Sequence, residues 1–254
     1  EEQCKKGLVA KSISKKTIKR SPREPFRTSV LQQQASNRFG FTPKRTMQIA
    51  QSLYAREGGG LITYIRTDSI EIDEGKVPAV RSQVASMFGE DFVQPRNFKN
   101  KKEAKNIQEA HGAITPVDIS LVPADAKKIL KDDEFKLYQL IWQRTVASQM
   151  KDAIFERTSI EFVPTGDESL ATFSFSDQEL IFSGYLEATQ EEVTNNKPPL
   201  INENDAIGFK ELVKTQHFTD PPPRYNDASM IKALEEKGIG RPSTYADILS
   251  KLTD

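Results

Sequence analysis

The stretch Ser159-Ile-Glu-Phe-Val163 begins a part of the chain in which polar and apolar residues alternate, and Leu170-Ala-Thr-Phe-Ser-Phe175 and Glu179-Leu-Ile-Phe182 continue it. Because successive side chains of a strand point to opposite faces, a period of two predicts antiparallel β-strands. A helical core stripe precedes this region, formed by Leu137, Leu140, Ile141 and Val146. The change of period near residue 154 therefore predicts an α+β, multidomain fold.

Helices are expected on both sides of this β-rich part. Thr28 or Ser29 can cap a helix over about 30–38 that Gly40 ends, and Thr42-Pro43 starts a second one. Further helices are predicted over 76–89, over 123–150 as a pair, and over about 226–237 and 243–252.

The remaining segments have other patterns. Residues 1–24 are predicted to form a basic strand or the remnant of a hairpin, and Leu61–Arg66 and Ala206–Val213 to form short strands. Residues 95–108 and 188–200 are predicted to be loops, and Pro221-Pro222-Pro223 a stiff linker.

Composition narrows the class of protein. Hydrophobic residues make up 37% and charged residues 28% of the 254, which is typical of globular domains. No run approaches the ~18 apolar residues of a membrane helix, so no membrane partner is expected. The single cysteine excludes an internal disulfide and a cysteine-based zinc site, and a cytoplasmic location is the expectation.

The formal net charge is +0, but its distribution is uneven. Residues 1–24 carry a net +5, residues 25–153 a net +4 and residues 154–254 a net −9. The positive part could attract phosphate, although ordinary solvated charge explains the same numbers.

The segment Leu61-Ile-Thr-Tyr-Ile-Arg66 contains the chemistry of most interest. In a strand that reached Asp68, the side chains of Tyr64, Arg66 and Asp68 would share a face. A guanidinium beside a phenol favours the ionised phenolate and can grip a phosphate by two hydrogen bonds. Tyrosine and arginine on one face are thus the minimum set for phosphoryl transfer to tyrosine, although for these residues alone a half-buried strand end is the favoured explanation.

Seven blocks of sequence together resemble the bacterial type IA DNA topoisomerases. Gly60-Leu-Ile-Thr-Tyr-Ile-Arg-Thr-Asp-Ser69 is similar to the family's active-site motif GLITYMRTDS, with Ile65 in place of methionine. The other blocks follow in the family's order, at Pro25–Ser36, Lys44–Tyr54, Gln108–His111, Leu137–Arg144 with Ala147–Met150, Gln216–Tyr225 and Leu234–Tyr245.

The resemblance implies a mechanism. Tyr64 would attack a phosphodiester in a single-stranded region of negatively supercoiled DNA and form a 5′-phosphotyrosyl bond. Arg66 would hold the phosphate, and His111 would lie close to it. Because the ester conserves the bond energy, religation needs no ATP. The resemblance also implies DNA contacts by Gln51, Thr67, Asp68, Arg241, Ser243 and Thr244.

The resemblance also implies a domain plan. Residues 1–24 and 154–224 would be two arms of a β-rich arch domain, 25–153 an inserted helical domain with the nucleophile, and 225–254 the start of a returning helical segment. Magnesium ligands would lie in a Toprim domain, which nothing in this sequence resembles, and the rest of the topoisomerase chain would be a partner. No metal site is therefore predicted within these residues.

The chain departs from the family beside the histidine, where Gly112 and Thr115 stand in place of glutamate and arginine. Two other classes of protein are alternatives to a type IA topoisomerase. A helix-turn-helix nucleic-acid-binding module fits the helices at 29–56 but does not need Tyr64, Arg66 or His111. A tyrosine recombinase or type IB enzyme uses several arginines and histidines around its tyrosine, which the Tyr-x-Arg arrangement does not match.

Overall fold

The structure is a computed structural model and describes residues 6–100, 111–166, 172–208 and 210–253. The elements in chain order are β1 (Leu8–Arg20), α1 (Thr28–Phe39), α2 (Pro43–Tyr54), α3 (Val77–Phe88), α4 (Pro123–Ile129), α5 (Asp132–Ala147), β2 (Ala153–Pro164), β3 (Phe173–Phe182), α6 (Leu186–Thr189), β4 (Ala206–Ile207), α7 (Asp227–Glu236) and α8 (Tyr245–Thr253). Helices and one antiparallel sheet together confirm the α+β class.

The chain divides into two compact units. The first contains Glu1–Ser21, Asp152–Gly184 and Glu191–Pro222, and the second contains Pro22–Lys151, Tyr185–Gln190 and Pro223–Asp254. These units are defined by compactness, and their correspondence with the arch and inserted domains stays a prediction.

The short segment Tyr185–Gln190 belongs to the helical unit, although the sequence placed it with the second arm. The N–H of Tyr185 donates to the carbonyl of Lys151 at 3.0 Å. Tyr185, Leu186 and Ala188 are all buried, so the segment packs as part of the helical core.

The first unit is built on a four-stranded sheet in the order β3-β2-β1-β4. β1 pairs with β2 from Leu8↔Pro164 to Arg20↔Ala153, with a bulge between Ala10 and Ser12. The predicted strand within residues 1–24 and the period-two strands are therefore confirmed, and Thr158 and Ile160 of β2, two residues apart, are both buried as a period of two requires.

Two strand predictions were wrong in extent. The strands expected at 170–175 and 179–182 are joined in one strand, Phe173–Phe182, because Asp177 and Gln178 stay in register with β2; residues 170 and 171 lie outside the described residues. The strand expected over Ala206–Val213 stops at Ile207. There its partner ends as well, since Gly7 at φ 93° turns the chain out of β1.

The second unit is a helical assembly around α5. Leu137, Leu140, Ile141 and Val146 are each at most 4% exposed, which confirms the predicted core stripe. The Tyr138 hydroxyl donates to the carbonyl of Leu121 at 2.7 Å and the Trp142 indole N–H to that of Ile119 at 2.9 Å. α5 therefore anchors the loop before α4, and α2 and α3 pack against it.

The helices begin and end near the predicted residues, except at two N-termini. Gly40 ends α1 at φ 68°, and the Thr42 hydroxyl accepts the N–H of Arg45 at 3.2 Å at the start of α2. The predicted cap at Thr28 or Ser29 is wrong, because Arg27 holds the N-cap position without a side-chain cap bond. Ser243 does not cap α8, which begins two residues later at Tyr245.

A buried amide in α1 yields a stability prediction. Gln32 is 0% exposed, and neither of its side-chain amide atoms has a hydrogen-bond partner among the described residues. An unpaired buried amide costs about 1–3 kcal/mol. We expect Gln32→Met, which keeps the length but removes the polar atoms, to raise the free energy of unfolding by about 1 kcal/mol. Urea denaturation followed by Trp142 fluorescence measures it, with the less buried Gln33→Met as control; a lower free energy for Gln32→Met would contradict the prediction.

Candidate active site

Residues 60–69 run beside residues 111–117 without forming a strand. The predicted strand over Leu61–Arg66 is wrong, since Ile62 alone makes an isolated bridge there, with Pro116. Thr63 replaces the missing ladder: its hydroxyl donates to the carbonyl of Ala113 and accepts the N–H of Thr115, both at 2.9 Å. The segment is thus fixed by a threonine side chain as well as by its backbone.

The other edge of the segment is held by the start of α1. The hydroxyl of Thr28 donates to the carbonyl of Ile65 at 2.8 Å and accepts the N–H of Thr67 at 2.9 Å. The N–H of Thr28 donates to the carbonyl of Thr67 at 3.0 Å. Thr28 is fully buried, so it fixes the backbone on both sides of Arg66 and leaves the Arg66 side chain exposed.

Tyr64 lies in a cluster of three rings. Its ring centroid is 4.5 Å from that of His111, with the planes at 47°, and 5.7 Å from that of Tyr54, with the planes at 69°. Tyr64 is half-buried, His111 is exposed and Tyr54 is 39% exposed. The structure therefore brings the predicted nucleophile and the predicted histidine into contact where solvent can reach the histidine.

Arg66 lines an open groove of about 410 Å³ along the surface of α2. The groove is lined by Lys44, Met47, Gln48, Gln51, Ile65, Arg66, Pro242, Ser243, Ala246 and Asp247. It unites three residues that the sequence proposed separately, namely Gln51, Arg66 and Ser243. Gln51 and Tyr54 are three residues apart on α2 and therefore neighbours on its surface.

Burial alternates from Tyr64 to Ser69 although no strand forms, and Asp68, like Tyr64 and Arg66, is on the less buried side. The charges of Glu235, Arg241 and Arg27 act on Asp68. Burial first, and then the charge of Glu235, raise the pKa of Asp68, while Arg241 and Arg27 oppose this. The pKa of Tyr245 beside them is raised to about 12, mainly by burial and then by the charges of Glu235 and Asp68.

The turn before α8 presents Arg241 and Ser243 to solvent. The N–H of Arg241 donates to the hydroxyl of Thr244 at 2.8 Å, and the Arg241 guanidinium donates to the carbonyl of Gly240 at 2.7 Å. Thr244 thus shapes the turn, while Arg241 and Ser243 remain on its outer surface.

Thr67 has a position different from the one expected of a DNA contact. It is 3% exposed, and its hydroxyl donates to the backbone carbonyl of His111 at 3.2 Å while accepting the N–H of Ser69 at 3.0 Å. This placement gives Thr67 a structural task, which is to join the Tyr64 segment to the histidine.

Gly112 occupies a place where the family's glutamate would not fit unchanged. A Cβ atom at this residue would lie 2.9 Å from the backbone oxygen of Glu71, and the N–H of Ala113 already donates to that oxygen at 2.8 Å. Thr115, the second departure, is 3% exposed and paired with Thr63. The backbone at residue 71 therefore packs closely against the strip that carries His111.

Sequence reasoning missed Lys44, Gln48, Arg27 and Glu235. Lys44 and Gln48 could have been found, because they precede Gln51 by seven and three residues on the predicted helix and so lie on one face. Arg27 and Glu235 are 208 residues apart and form an ion pair of 2.8 Å, and no local pattern indicates it.

Metal-binding clusters and membrane-spanning helices are both absent from the described residues. In residues 6–100, 111–166, 172–208 and 210–253, no three histidine, cysteine or acidic side chains gather closely enough to bind a metal ion. None of the helices in the same ranges is long and apolar enough to cross a bilayer.

Comparison with known proteins identifies the family. A family model described as DNA topoisomerase matches residues 1–254. The chain is 43% identical to DNA topoisomerase 1 of Rickettsia bellii over 95% of this chain and 31% of that protein, and 42% identical to its counterpart in Helicobacter pylori over 98% and 34%.

A solved structure shows the same fold. Full-length topoisomerase I of Thermotoga maritima superposes with a TM-score of 0.84 at 35% identity, covering 99% of this chain and 41% of that one. The chain spans about a third of the length of the curated relatives it matches. By the match of the family model along its whole length, the chain belongs to the DNA topoisomerase family, whose members are isomerases.

Proposed function

We propose that this chain is the nucleophile-bearing part of a type IA topoisomerase, which relaxes negatively supercoiled DNA through a transient break in one strand. The contact between the rings of Tyr64 and His111, at 4.5 Å, carries the proposal. It places an imidazole against the phenol, and Arg66, which lines the groove, follows Tyr64 by two residues. Family membership supplies the substrate class, which is DNA.

The chemistry is a phosphoryl transfer in two balanced steps. The Tyr64 oxygen attacks the scissile phosphorus, the bond from phosphorus to the 3′ oxygen breaks, and the leaving oxygen takes up a proton as the phenol loses one. The product is a 5′-phosphotyrosyl ester and a free 3′-hydroxyl. In religation the 3′-hydroxyl attacks the same phosphorus and the phenol is restored, so no ATP is consumed. Strand passage occurs between the two steps.

Each side chain has a task in this scheme. Arg66 is exposed beside the groove, where a fixed guanidinium can stabilise the charge that develops on the phosphate. His111 contacts the attacking ring and is open to solvent, which suits a proton relay or a hydrogen bond to the phosphate. The departures at Gly112 and Thr115 leave this contact in place.

The groove supplies the means of holding the strand. Lys44 and Arg66 provide positive charge, while Gln51 and Ser243 provide hydrogen-bonding groups that suit phosphates and base edges. Arg241 lies on the turn that carries Ser243 and can add a phosphate contact. A single strand fits such an open channel because its backbone can follow the positive charges.

We propose no magnesium site within the described residues. The charges of Arg27 and Arg241 act on Asp68 together with that of Glu235, and no cluster among the described residues offers three metal ligands. A metal site would therefore belong to other parts of the enzyme. Acting on chromosomal DNA, the protein would work at the nucleoid in the cytoplasm.

Removing the Tyr64 hydroxyl should abolish the covalent adduct. The test uses a hybrid enzyme in which residues 1–254 replace the matching segment of a full-length relative, with magnesium and a labelled single-stranded oligonucleotide. A label on the 3′ end of the DNA should migrate with the protein, and a label on the 5′ end should not, because the ester is on the 5′ phosphate. We expect Tyr64→Phe to give no adduct.

Tyr54→Phe is the matched control, because Tyr54 is the neighbouring ring and is 39% exposed. It should retain the adduct. A 5′-end label carried by the protein would indicate the opposite linkage, and normal DNA binding with no adduct in the unsubstituted hybrid would favour a non-catalytic binding module.

The chain by itself should not relax DNA. Its described residues lack a carboxylate cluster that could hold magnesium, and it spans about a third of its relatives' length. A supercoiled-plasmid assay with magnesium measures this. Relaxation by residues 1–254 alone, lost in Tyr64→Phe, would show that the prediction is wrong while leaving the role of Tyr64 intact.

Neutralising Arg66 should weaken binding in proportion to one phosphate contact. For single strands the slope of log affinity against log salt changes by about 0.7 for each phosphate contact. We expect Arg66→Gln to lower the slope by about 0.7 in fluorescence anisotropy with a labelled oligonucleotide. Lys136→Gln makes the same charge change at an exposed residue of α5 and should leave the slope unchanged; equal slopes in the two variants would remove Arg66 from the binding site.

A further inference from the structure

Three consecutive residues at the start of α1 bind two different parts of the protein. Arg27 and Ser29 both hold Glu235 of α7: the Nε and Nη2 atoms of Arg27 donate to its two oxygens at 2.8 and 3.3 Å, and the Ser29 hydroxyl donates to the first oxygen at 2.5 Å. Thr28 between them holds the backbone of Ile65 and Thr67. The carboxylate of Glu235 is thus one residue removed from the bonds that flank Arg66.

We infer that Glu235 is a positioning residue for the proposed cleavage reaction. It fixes the first turn of α1, and through Thr28 it sets the backbone that aims Arg66 into the groove. The inference rests on the proposed function for its catalytic consequence, whereas the coupling between Glu235 and the Tyr64 segment can be measured without catalysis.

The bonds to Glu235 are strong enough to act in this way. A bidentate pair between arginine and carboxylate fixes orientation as well as distance. The side chains of Arg27 and Glu235 are 26% and 23% exposed, so water screens the pair only in part. Burial alone would lower the pKa of Arg27, but the hydrogen bond and charge of Glu235, with a contribution from Glu24, raise it above its usual value.

The N-terminus of α1 needs the charge that Glu235 provides. The first turn of α1 contains no acidic residue, and its N-cap has no side-chain cap bond. A helix N-terminus carries partial positive charge and is stabilised by a nearby anion. Glu235 brings that anion from another helix, so the geometry of the first turn depends on a residue 206 positions away from Ser29.

The field of Glu235 also reaches the segment directly. Its charge is the largest cause, after burial, of the raised pKa of Asp68, which follows Arg66 by two residues. Arg241 acts in the opposite direction on the same carboxyl. Glu235 therefore bears on the segment in two ways, by the hydrogen bonds at α1 and by repulsion at Asp68.

The test compares Glu235→Gln with Glu236→Gln. Both remove one negative charge from adjacent positions of α7, but Glu236 is exposed and pairs only loosely with Lys232, at 3.8 Å. Amide exchange measured by NMR on the 254-residue chain is the first readout. We expect the N–H of Thr67, which donates to Thr28, to exchange about tenfold faster or more in Glu235→Gln, since the variant loses hydrogen bonds to a charged group.

Exchange in α5 serves as the internal reference. Unchanged exchange there together with faster exchange at Thr67 supports the inference. Equal acceleration at both places would mean general destabilisation and would overturn it, as would equal Thr67 exchange in Glu235→Gln and Glu236→Gln. These results do not depend on whether the protein cleaves DNA.

Adduct formation in the hybrid enzyme is the second readout. Glu235→Gln should lower the rate of adduct formation about tenfold, in line with the loss of one charged hydrogen bond. Its affinity for the oligonucleotide should fall by less than that of Arg66→Gln, because Arg66 keeps its charge. Weaker binding with an unchanged rate would overturn the inference, and failure of the unsubstituted hybrid to form any adduct would instead count against the proposed function.

Discussion

The hydroxyl of Thr28 is the interaction on which the candidate active site depends. A buried backbone must satisfy its polar groups, and residues 60–69 have no strand ladder with which to do so. Thr28 pairs with Ile65 and Thr67 on one edge, and Thr63 pairs with Ala113 and Thr115 on the other. Side-chain hydroxyls thereby fix the backbone of a segment that does not form a strand.

This conformation allows neighbouring side chains to take separate surroundings. Burial alternates along the segment, so Tyr64, Arg66 and Asp68 are on its less buried side. There Tyr64 meets the rings of Tyr54 and His111, Arg66 lines the groove along α2, and Asp68 lies among charged groups. A phenol, a guanidinium and a carboxylate therefore occupy five consecutive residues with different partners.

Local patterns in the sequence predicted the helices and the sheet but not the path of this segment. The stripe on α5 and the cap at Thr42 depend on residues within a turn or two of each other, so periodicity and capping rules suffice. The segment after Gly60 depends on contacts with residues far away in the chain. Thr28 resembled a helix cap for the same reason, since its preference for that role is local and its actual partners are about 37 residues away.

Part of the groove along α2 could be predicted from the sequence. The resemblance to the topoisomerase family indicated Gln51, and helical spacing from Gln51 indicates Lys44 and Gln48. Helical spacing cannot indicate the carboxylate of Glu235, because it contacts Arg27 only in the folded protein. A formal net charge of +0 for the chain does not weaken a nucleic-acid site, since charges farther than about 8–10 Å away are largely screened. A phosphate would meet the local arrangement, in which Lys44 and Arg66 line the groove together with the carboxylate of Asp247, while Glu235 pairs with Arg27.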